Sequence, residues 1–192
     1  MATDYKGRIL EGIINGEILF DGHSNYGTFF PAGDGLVAKI FSDYMYDVAL
    51  QEFEYLKRFK ALDDSRIRVP EAYGYISLGR IEDLKKLGLS MGYCDNLSDV
   101  YVVVMELLEG KHWGKIDNDE RRPYAKSLIG LMDALIEYKI DIWDLKGNEL
   151  ICIKDTEQIG LVDTHLAVWG SLSSSTEWDY NEFRQQAEKA LS

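Results

Sequence analysis

Residues 139–167, with the sequence KIDIWDLKGNELICIKDTEQIGLVDTHLA, contain two short apolar runs, and an acidic residue stands near one end of each. The runs cover residues 151–153 and 159–162, and the polar KDTEQ segment between them has the composition of a turn. Two apolar runs joined by a short turn predict a β-hairpin. Because the outer ends of a hairpin meet, we expect Asp144 and Asp163 to lie close together.

The polar side chains at this end of the predicted hairpin suit a hard metal ion. The cluster would consist of Asp144, Lys146, Asp163 and either Asn148 or Glu149. Carboxylate and amide oxygens bind Mg²⁺, which bridges phosphate oxygens, and one carboxylate remains to orient a hydroxyl. The sequence therefore predicts metal-assisted phosphoryl transfer.

The composition limits the classes of partner. The 192 residues are 46% hydrophobic and 28% charged, as in globular proteins, and they suffice for one compact domain or two small lobes. The net charge of −12 repels phosphate backbones and anionic lipids, so we expect neither a nucleic acid nor a membrane as partner.

The first residues, MATDYKGRIL, lack the order of a secretion signal, and we expect a cytoplasmic protein. Cys94 and Cys152 show no metal-ligand spacing and are expected to be reduced, structural thiols.

A glycine-containing segment lies between two strand candidates, residues 16–20 and 28–30. Gly22, Ser24 and Gly27 have the spacing of a G-x-G-x-x-G loop with serine in the middle place. Such a loop would let backbone N–H groups approach a phosphate. The alternative is a plain hairpin turn with glycines at positive φ.

Residues 36–41 form a strand candidate whose only charge, Lys39, lies in its middle. A lysine that is buried without an anionic partner is unfavourable. The helical spacing over residues 46–62 places Glu52 where it could face Lys39. The alternative is that Lys39 extends into solvent from an edge strand and that Glu52 is one of several solvated acids on the helix.

The remaining pattern predicts a mixed α+β chain. The elements in order are an extended stretch at 67–78, an insertion at 81–99 with a short helix at 81–87, a central strand at 100–108, a long helix at 117–140 and a closing helix at 176–191 after a serine-rich linker. A hinge is expected after the central strand.

In this order the motifs resemble those of the protein-kinase-like superfamily, and the resemblance covers most of the chain. The matching segments are GHSNYG at 22–27, VAK at 37–39, QEFEYL at 51–56, MELLEG at 105–110, DLKGNEL at 144–150 and DTH at 163–165. The resemblance implies a bilobal α+β fold. Residues 1–108 would form an N-lobe with an antiparallel sheet, and residues 109–192 a reduced, helical C-lobe, with the site between them.

The resemblance also implies an ATP site. The loop of Gly22, Ser24 and Gly27 would cover the phosphates. Lys39, paired with Glu52, would hold the α- and β-phosphates. The hinge backbone from Glu106 to Leu108 would bind adenine.

Mg²⁺ and catalytic roles follow from the same resemblance. Asp163 would bind Mg²⁺ together with Asn148 or Glu149. Asp144 would be the base, and Lys146 would stabilise the transferring phosphate. The expected activity is transfer of the ATP γ-phosphate to a hydroxyl acceptor, on a protein partner or elsewhere. The alternative is a nucleotide-binding pseudokinase, or an interaction protein that uses the fold as a scaffold without turnover.

Several positions depart from the superfamily pattern. Ile142 and Trp143 replace the histidine and arginine that precede the catalytic aspartate. The position five residues after Asp144 is Glu149, and Asn148 comes one residue early. We therefore expect either a shortened loop or a glutamate that acts as a metal ligand. Thr-His replaces Phe-Gly after Asp163, and no A-P-E motif follows.

Overall fold

The computed structural model describes residues 4–17, 28–33, 35–42, 46–88, 99–143, 145–164 and 167–192. Contacts group the chain into two compact units, Met1–Lys57 with Glu71–Leu107 and Arg58–Pro70 with Leu108–Ser192. The chain is mixed α+β with antiparallel sheets, as predicted. The interpretation of the two units as kinase lobes stays a prediction.

The first unit is built on a four-stranded antiparallel sheet. Its strands are β1 (Thr28–Gly33), β2 (Leu36–Ser42), β3 (Ala72–Arg80) and β4 (Asp99–Glu106), in the order β1-β2-β4-β3. β4 lies between β2 and β3, and Val102, Val103 and Val104 on it are fully buried. The prediction of a central strand here is confirmed, because an apolar run without alternation is typical of a strand covered on both faces.

Three helices belong wholly or largely to this unit: α1 (Tyr5–Asn15), α2 (Tyr46–Ala61) and α3 (Ile81–Lys86). α2 and α3 match the helices predicted at 46–62 and 81–87. The sequence analysis did not predict α1. It starts at Asp4, whose side chain accepts a hydrogen bond from the Gly7 N–H, and it buries Ile9 and Ile13 in the same apolar cluster as the sheet residues Phe30 and Ile40.

The strands of the second unit are short. They are β5 (Gly110–His112), β6 (Ile140–Ile142), β7 (Leu150–Ile153), β8 (Ile159–Leu161) and β9 (Ala167–Trp169). β5, β7 and β8 form one antiparallel sheet, and β6 pairs with β9 in a second one. Leu150 pairs with Leu161 and Cys152 with Ile159, so the hairpin predicted from the two apolar runs is confirmed.

The single helix predicted at 117–140 is wrong. α4 (Asn118–Arg121) is followed by a 3₁₀ turn (Arg122–Tyr124) and then by α5 (Ala125–Glu137). Pro123 lies in the 3₁₀ turn. Proline lacks the N–H for an α-helical hydrogen bond and crowds the preceding turn, which accounts for the break. The backbone turns into β6 at Lys139, whose φ is 52°.

The last helix, α6 (Ser174–Leu191), begins two residues before the predicted start and packs against α5. The Ser173 side chain accepts a hydrogen bond from the Thr176 N–H, so part of the predicted serine-rich linker is the helix cap. None of the helices in the described ranges combines the length and the apolar composition needed to cross a bilayer.

Cys152 lies inside β7 and is 3% exposed. Burial raises the pKa of its thiol to about 12, so the thiol stays protonated at neutral pH. Cys152 is therefore a packing residue, as expected. Cys94 lies outside the described residues.

Candidate functional site

Lys39 and Glu52 form an ion pair in the interior of the first unit. Lys39 Nζ donates to Glu52 Oε2 at 2.6 Å, and the two side chains are 2% and 0% exposed. β2 is flanked by β1 and β4, so Lys39 does not lie on an edge strand. The alternative in which both side chains reach solvent is therefore wrong.

The surroundings of this pair are aromatic. Lys39 Nζ lies 5.1 Å from the ring centroid of Phe41 and 5.8 Å from that of Phe29. Moving two charges out of water is expensive, and an apolar pair of similar volume is often at least as stable. A fully buried ion pair is therefore hard to explain by stability alone and is a candidate for a chemical role.

The predicted nucleotide contacts around this pair are only partly described. Gly22, Ser24 and Gly27 lie outside the described residues. At the predicted hinge, the Glu106 N–H donates to the Glu71 carbonyl at 2.9 Å, and the Leu107 N–H donates to the Gly35 carbonyl at 2.8 Å. Among the described residues no hydrogen bond engages the N–H of Leu108.

In the second unit the β7–β8 hairpin aligns two of the predicted metal-binding segments. The Val162 N–H donates to the Glu149 carbonyl at 3.0 Å, which extends the hairpin pairing by one step. Asn148 and Glu149 therefore precede β7 at the same end of the hairpin where Asp163 follows β8. Asp163 is half-buried, and Asp144 lies outside the described residues.

The loop before β7 closes as a tight turn. The Glu149 N–H donates to the Lys146 carbonyl at 3.0 Å, and Glu149 Oε2 accepts the Lys146 N–H at 2.7 Å. One oxygen of the Glu149 carboxylate is therefore engaged within the loop. Whether the loop is a shortened form of the superfamily loop or brings a glutamate to a metal ion stays a prediction.

Two glycines hold this loop against the turn that follows β5. The Gly114 N–H donates to the Gly147 carbonyl at 3.0 Å. A Cβ atom on Gly147 would lie 2.9 Å from both the N and the Cα of Gly114, which is too close for any side chain. Glycine is therefore required at position 147 for the loop to pack as it does.

His112 is a site residue that the sequence analysis did not identify. Burial lowers the pKa of its imidazole, a hydrogen bond with the backbone of Asn148 opposes this shift, and the charge of Lys115 lowers the pKa further. Nδ1 is buried and has no hydrogen-bond partner among the described residues. His112 thus contacts the loop as a neutral imidazole at neutral pH.

Lys146 lines an open cavity of about 320 Å³. The cavity combines charged groups with aromatic rings, and its lining residues are Trp113, Gly114, Arg121, Leu145, Lys146, Gly147, Asp179, Glu182, Phe183 and Gln186. Trp113 Nε1 donates to Gln186 Oε1 at 3.0 Å, and the Arg121 guanidinium lies over the Trp113 ring. The predicted phosphate-stabilising lysine therefore borders a space of small-molecule size.

The predicted Mg²⁺ ligands fit the ion in chemical type. Asn148, Glu149 and Asp163 offer the amide and carboxylate oxygens that Mg²⁺ prefers. The hydroxyl of Thr164, next to Asp163, is fully buried and has no hydrogen-bond partner among the described residues. This hydroxyl can therefore still form a hydrogen bond with a ligand. Within the described ranges, no group of three or more His, Cys, Asp and Glu side chains lies close enough to hold a metal ion.

No protein-family model matches this chain, and no curated protein matches it. The resemblance to the protein-kinase-like superfamily therefore depends on the motifs, on their order and on the local geometry around them.

Proposed function

We propose that this chain is an ATP-dependent phosphotransferase of the protein-kinase-like type, which transfers the ATP γ-phosphate to a hydroxyl acceptor with the help of Mg²⁺. The observation that carries the proposal is the buried Lys39–Glu52 ion pair. The motif resemblance predicts that Lys39 pairs with Glu52, which lies 13 residues later in the sequence. A protein that used the fold only as a scaffold would not need this pair.

In the proposed site, bound Mg·ATP would supply the phosphoryl group and neutralise charge on the phosphates. Lys39 binds phosphate oxygens, and Glu52 keeps its ammonium group in position. Asp163 and Asn148 would hold the metal ion. Glu149 closes the loop through its bond to the Lys146 N–H and contributes less to the metal ion.

Asp144 and Lys146 act on the acceptor in this proposal. The acceptor hydroxyl gives its proton to Asp144 while its oxygen bonds to the γ-phosphorus and ADP leaves. Lys146 balances the charge of the transferring group. The 320 Å³ cavity beside Lys146 supports an acceptor of small-molecule size, and the chain's own hydroxyls are the other candidates.

The test is turnover with labelled ATP and Mg²⁺, read as phosphate release and as label on the protein by intact mass. Asp144→Asn should lower turnover by about 100-fold or more, because it removes a general base. The matched control is Asp155→Asn in the turn between β7 and β8, where φ is 59° and asparagine is well tolerated. Equal turnover in the parent and in Asp144→Asn would remove Asp144 from the reaction.

A second candidate is a nucleotide-binding pseudokinase. The observation in its favour is that the Glu149 carboxylate is engaged with the Lys146 N–H, which reduces its capacity as a metal ligand. The proposed enzyme and the pseudokinase both bind Mg·ATP, but only the enzyme releases phosphate. Binding without turnover would select the second candidate.

A further inference from the structure

The last helix, α6, bonds to β6 through the hydroxyl of Tyr180. Tyr180 is fully buried, and its hydroxyl donates to the Ile140 carbonyl and accepts the Ile142 N–H, both at 2.9 Å. In an extended strand the C=O of one residue and the N–H of the residue two positions later point to the same edge, where a neighbouring strand normally bonds them. Here a single side chain bonds both groups. Burial raises the pKa of the Tyr180 hydroxyl, so it keeps the proton that it donates.

A carboxylate of β6 fixes the start of the same helix. Asp141, the middle residue of β6, is buried. One of its oxygens accepts the Ser173 N–H at 2.8 Å, and the other accepts the hydroxyl of Thr176. Every residue of β6 is therefore hydrogen-bonded to α6 or to the residue that caps it.

The same helix also supports the turn against which the loop before β7 packs. Gln186 Oε1 accepts a hydrogen bond from Trp113 Nε1 at 3.0 Å, and Trp113 is fully buried. The next residue, Gly114, donates its N–H to the carbonyl of Gly147 in the loop. One helix thus holds both the strand that leads into the loop and the turn beside it.

The loop before β7 follows β6 directly and contains Asp144 and Lys146, to which the proposed function assigns catalysis. The far end of the loop is fixed where Leu150 pairs with Leu161. The near end depends on β6, which has three residues and, among the described strands, pairs with β9 alone. Strand pairing over three residues fixes a segment weakly, so the bonds from Tyr180 determine how the chain enters the loop.

We propose that Tyr180 is a positioning residue for phosphotransfer: its hydroxyl holds β6, and thereby the loop that carries Asp144, without touching ATP or the acceptor. The inference rests on the proposed function, in which Asp144 takes the proton of the acceptor. ATP binding in the proposed site uses Lys39, Asp163 and Asn148, and the hydroxyl of Tyr180 bonds to none of these. Loss of this hydroxyl should therefore slow the chemical step and leave the affinity for ATP nearly unchanged.

The test compares the parent with Tyr180→Phe in two measurements. Hydrogen–deuterium exchange of the Ile142 amide should be at least about tenfold faster in the variant, because this N–H loses its acceptor. In phosphate release with Mg·ATP, kcat should fall about tenfold or more, and KM for ATP should change by less than about twofold. Phenylalanine keeps the ring in the core, so the variant retains the packing of α6.

Tyr138→Phe is the matched control. The Tyr138 hydroxyl donates to Asp64 at 3.2 Å in the same unit, so the control also loses a hydroxyl hydrogen bond, but one that does not hold β6. It should leave the exchange of the Ile142 amide and kcat as they are in the parent. An equal fall of kcat in Tyr138→Phe would indicate a general effect of stability and would overturn the positioning role.

The two measurements separate this inference from the proposed function. Unchanged exchange of the Ile142 amide in Tyr180→Phe would overturn the anchoring of β6, whatever the turnover. Faster exchange with an unchanged kcat would overturn the positioning role and leave the proposed function standing. A parent without turnover would overturn the proposed function, and the positioning role with it.

Discussion

Removing either member of the buried Lys39–Glu52 pair leaves the other without its charged partner in the protein interior. Lys39→Met and Glu52→Leu should each lower the free energy of unfolding by about 3–5 kcal/mol, and the double variant should recover much of the loss because both charges are gone. Urea unfolding measures all three.

The control for this comparison is Lys57→Met. Lys57 pairs with Glu54 at 3.5 Å on the surface, where both side chains are more than half exposed. Its removal should change the free energy of unfolding by about 0–1 kcal/mol. If the losses of the two buried single variants simply added up in the double variant, Lys39 and Glu52 would not be coupled.

His112 predicts a pH dependence of stability. Burial lowers the pKa of His112 in the folded chain below its ordinary value, so the folded state disfavours the protonated form. The stability contribution is complete above a pH of about 6.5, the value for unfolded histidine, and is lost as the pH falls below it. Protonation would also place a hydrogen on Nδ1, which has no acceptor among the described residues.

The measurement is urea unfolding of the parent and of His112→Gln between about pH 7.5 and 5.5, the range in which unperturbed histidine titrates. The parent should lose stability on acidification more steeply than the variant. Identical pH dependence of the two proteins would show that His112 does not titrate differently on folding. Contributions from the remaining histidines cancel, because both proteins contain them.

The sequence predicted the surroundings of some residues and not of others. Lys39 was predicted to need an anionic partner, because a charge in the middle of an apolar strand is unfavourable without one. His112 could not be identified, because its contact with Asn148 depends on β5 pairing with β7, where His112 lies opposite Ile151. No local motif indicates a register between segments so far apart in sequence.

At the scale of elements, the contact between Gly147 and Gly114 fixes the loop before β7. Gly147→Ala should destabilise the protein by about 1–3 kcal/mol and reduce turnover, because the new Cβ would meet backbone atoms at 2.9 Å. Gly130→Ala in α5 is the control: its Cβ would lie an ordinary 3.6 Å from the Arg66 side chain, and alanine favours a helix. Denaturant unfolding and phosphate release would show whether position 147 is as restrictive as the geometry indicates. Normal stability of Gly147→Ala would contradict this.

The elements predicted correctly are those with strong local patterns. The β7–β8 hairpin follows from two apolar runs around a polar turn, and β4 follows from its unbroken apolar run. The break at Pro123 could have been predicted, since proline disrupts a helix interior. α1 was missed although Tyr5, Ile9 and Ile13 stand at helical spacing, because its two glycines lower the helix propensity of the segment. β6 and β9, at three residues each, depend on pairing with one another.

At the scale of the whole molecule, the order of the motifs along the chain carries more information than any one motif. A glycine-containing turn or a single acidic residue after a strand is common in proteins. The lysine strand, the glutamate helix and the two acidic segments together predict a nucleotide site in a strongly acidic chain, in which local positive charge must overcome a net charge of −12. Composition alone indicates no such site.

Calorimetric titration with Mg²⁺ and a non-hydrolysable ATP analogue tests the central claim most directly. The parent should bind the analogue in the presence of Mg²⁺. Asp163→Ala should bind it at least about tenfold more weakly, because the loss of a charged ligand to the metal ion removes 1.4 kcal/mol or more. Glu157→Ala, in the exposed turn of the same hairpin, is the matched control and should bind as the parent does. No binding by the parent, or equal binding by Asp163→Ala, would contradict the account.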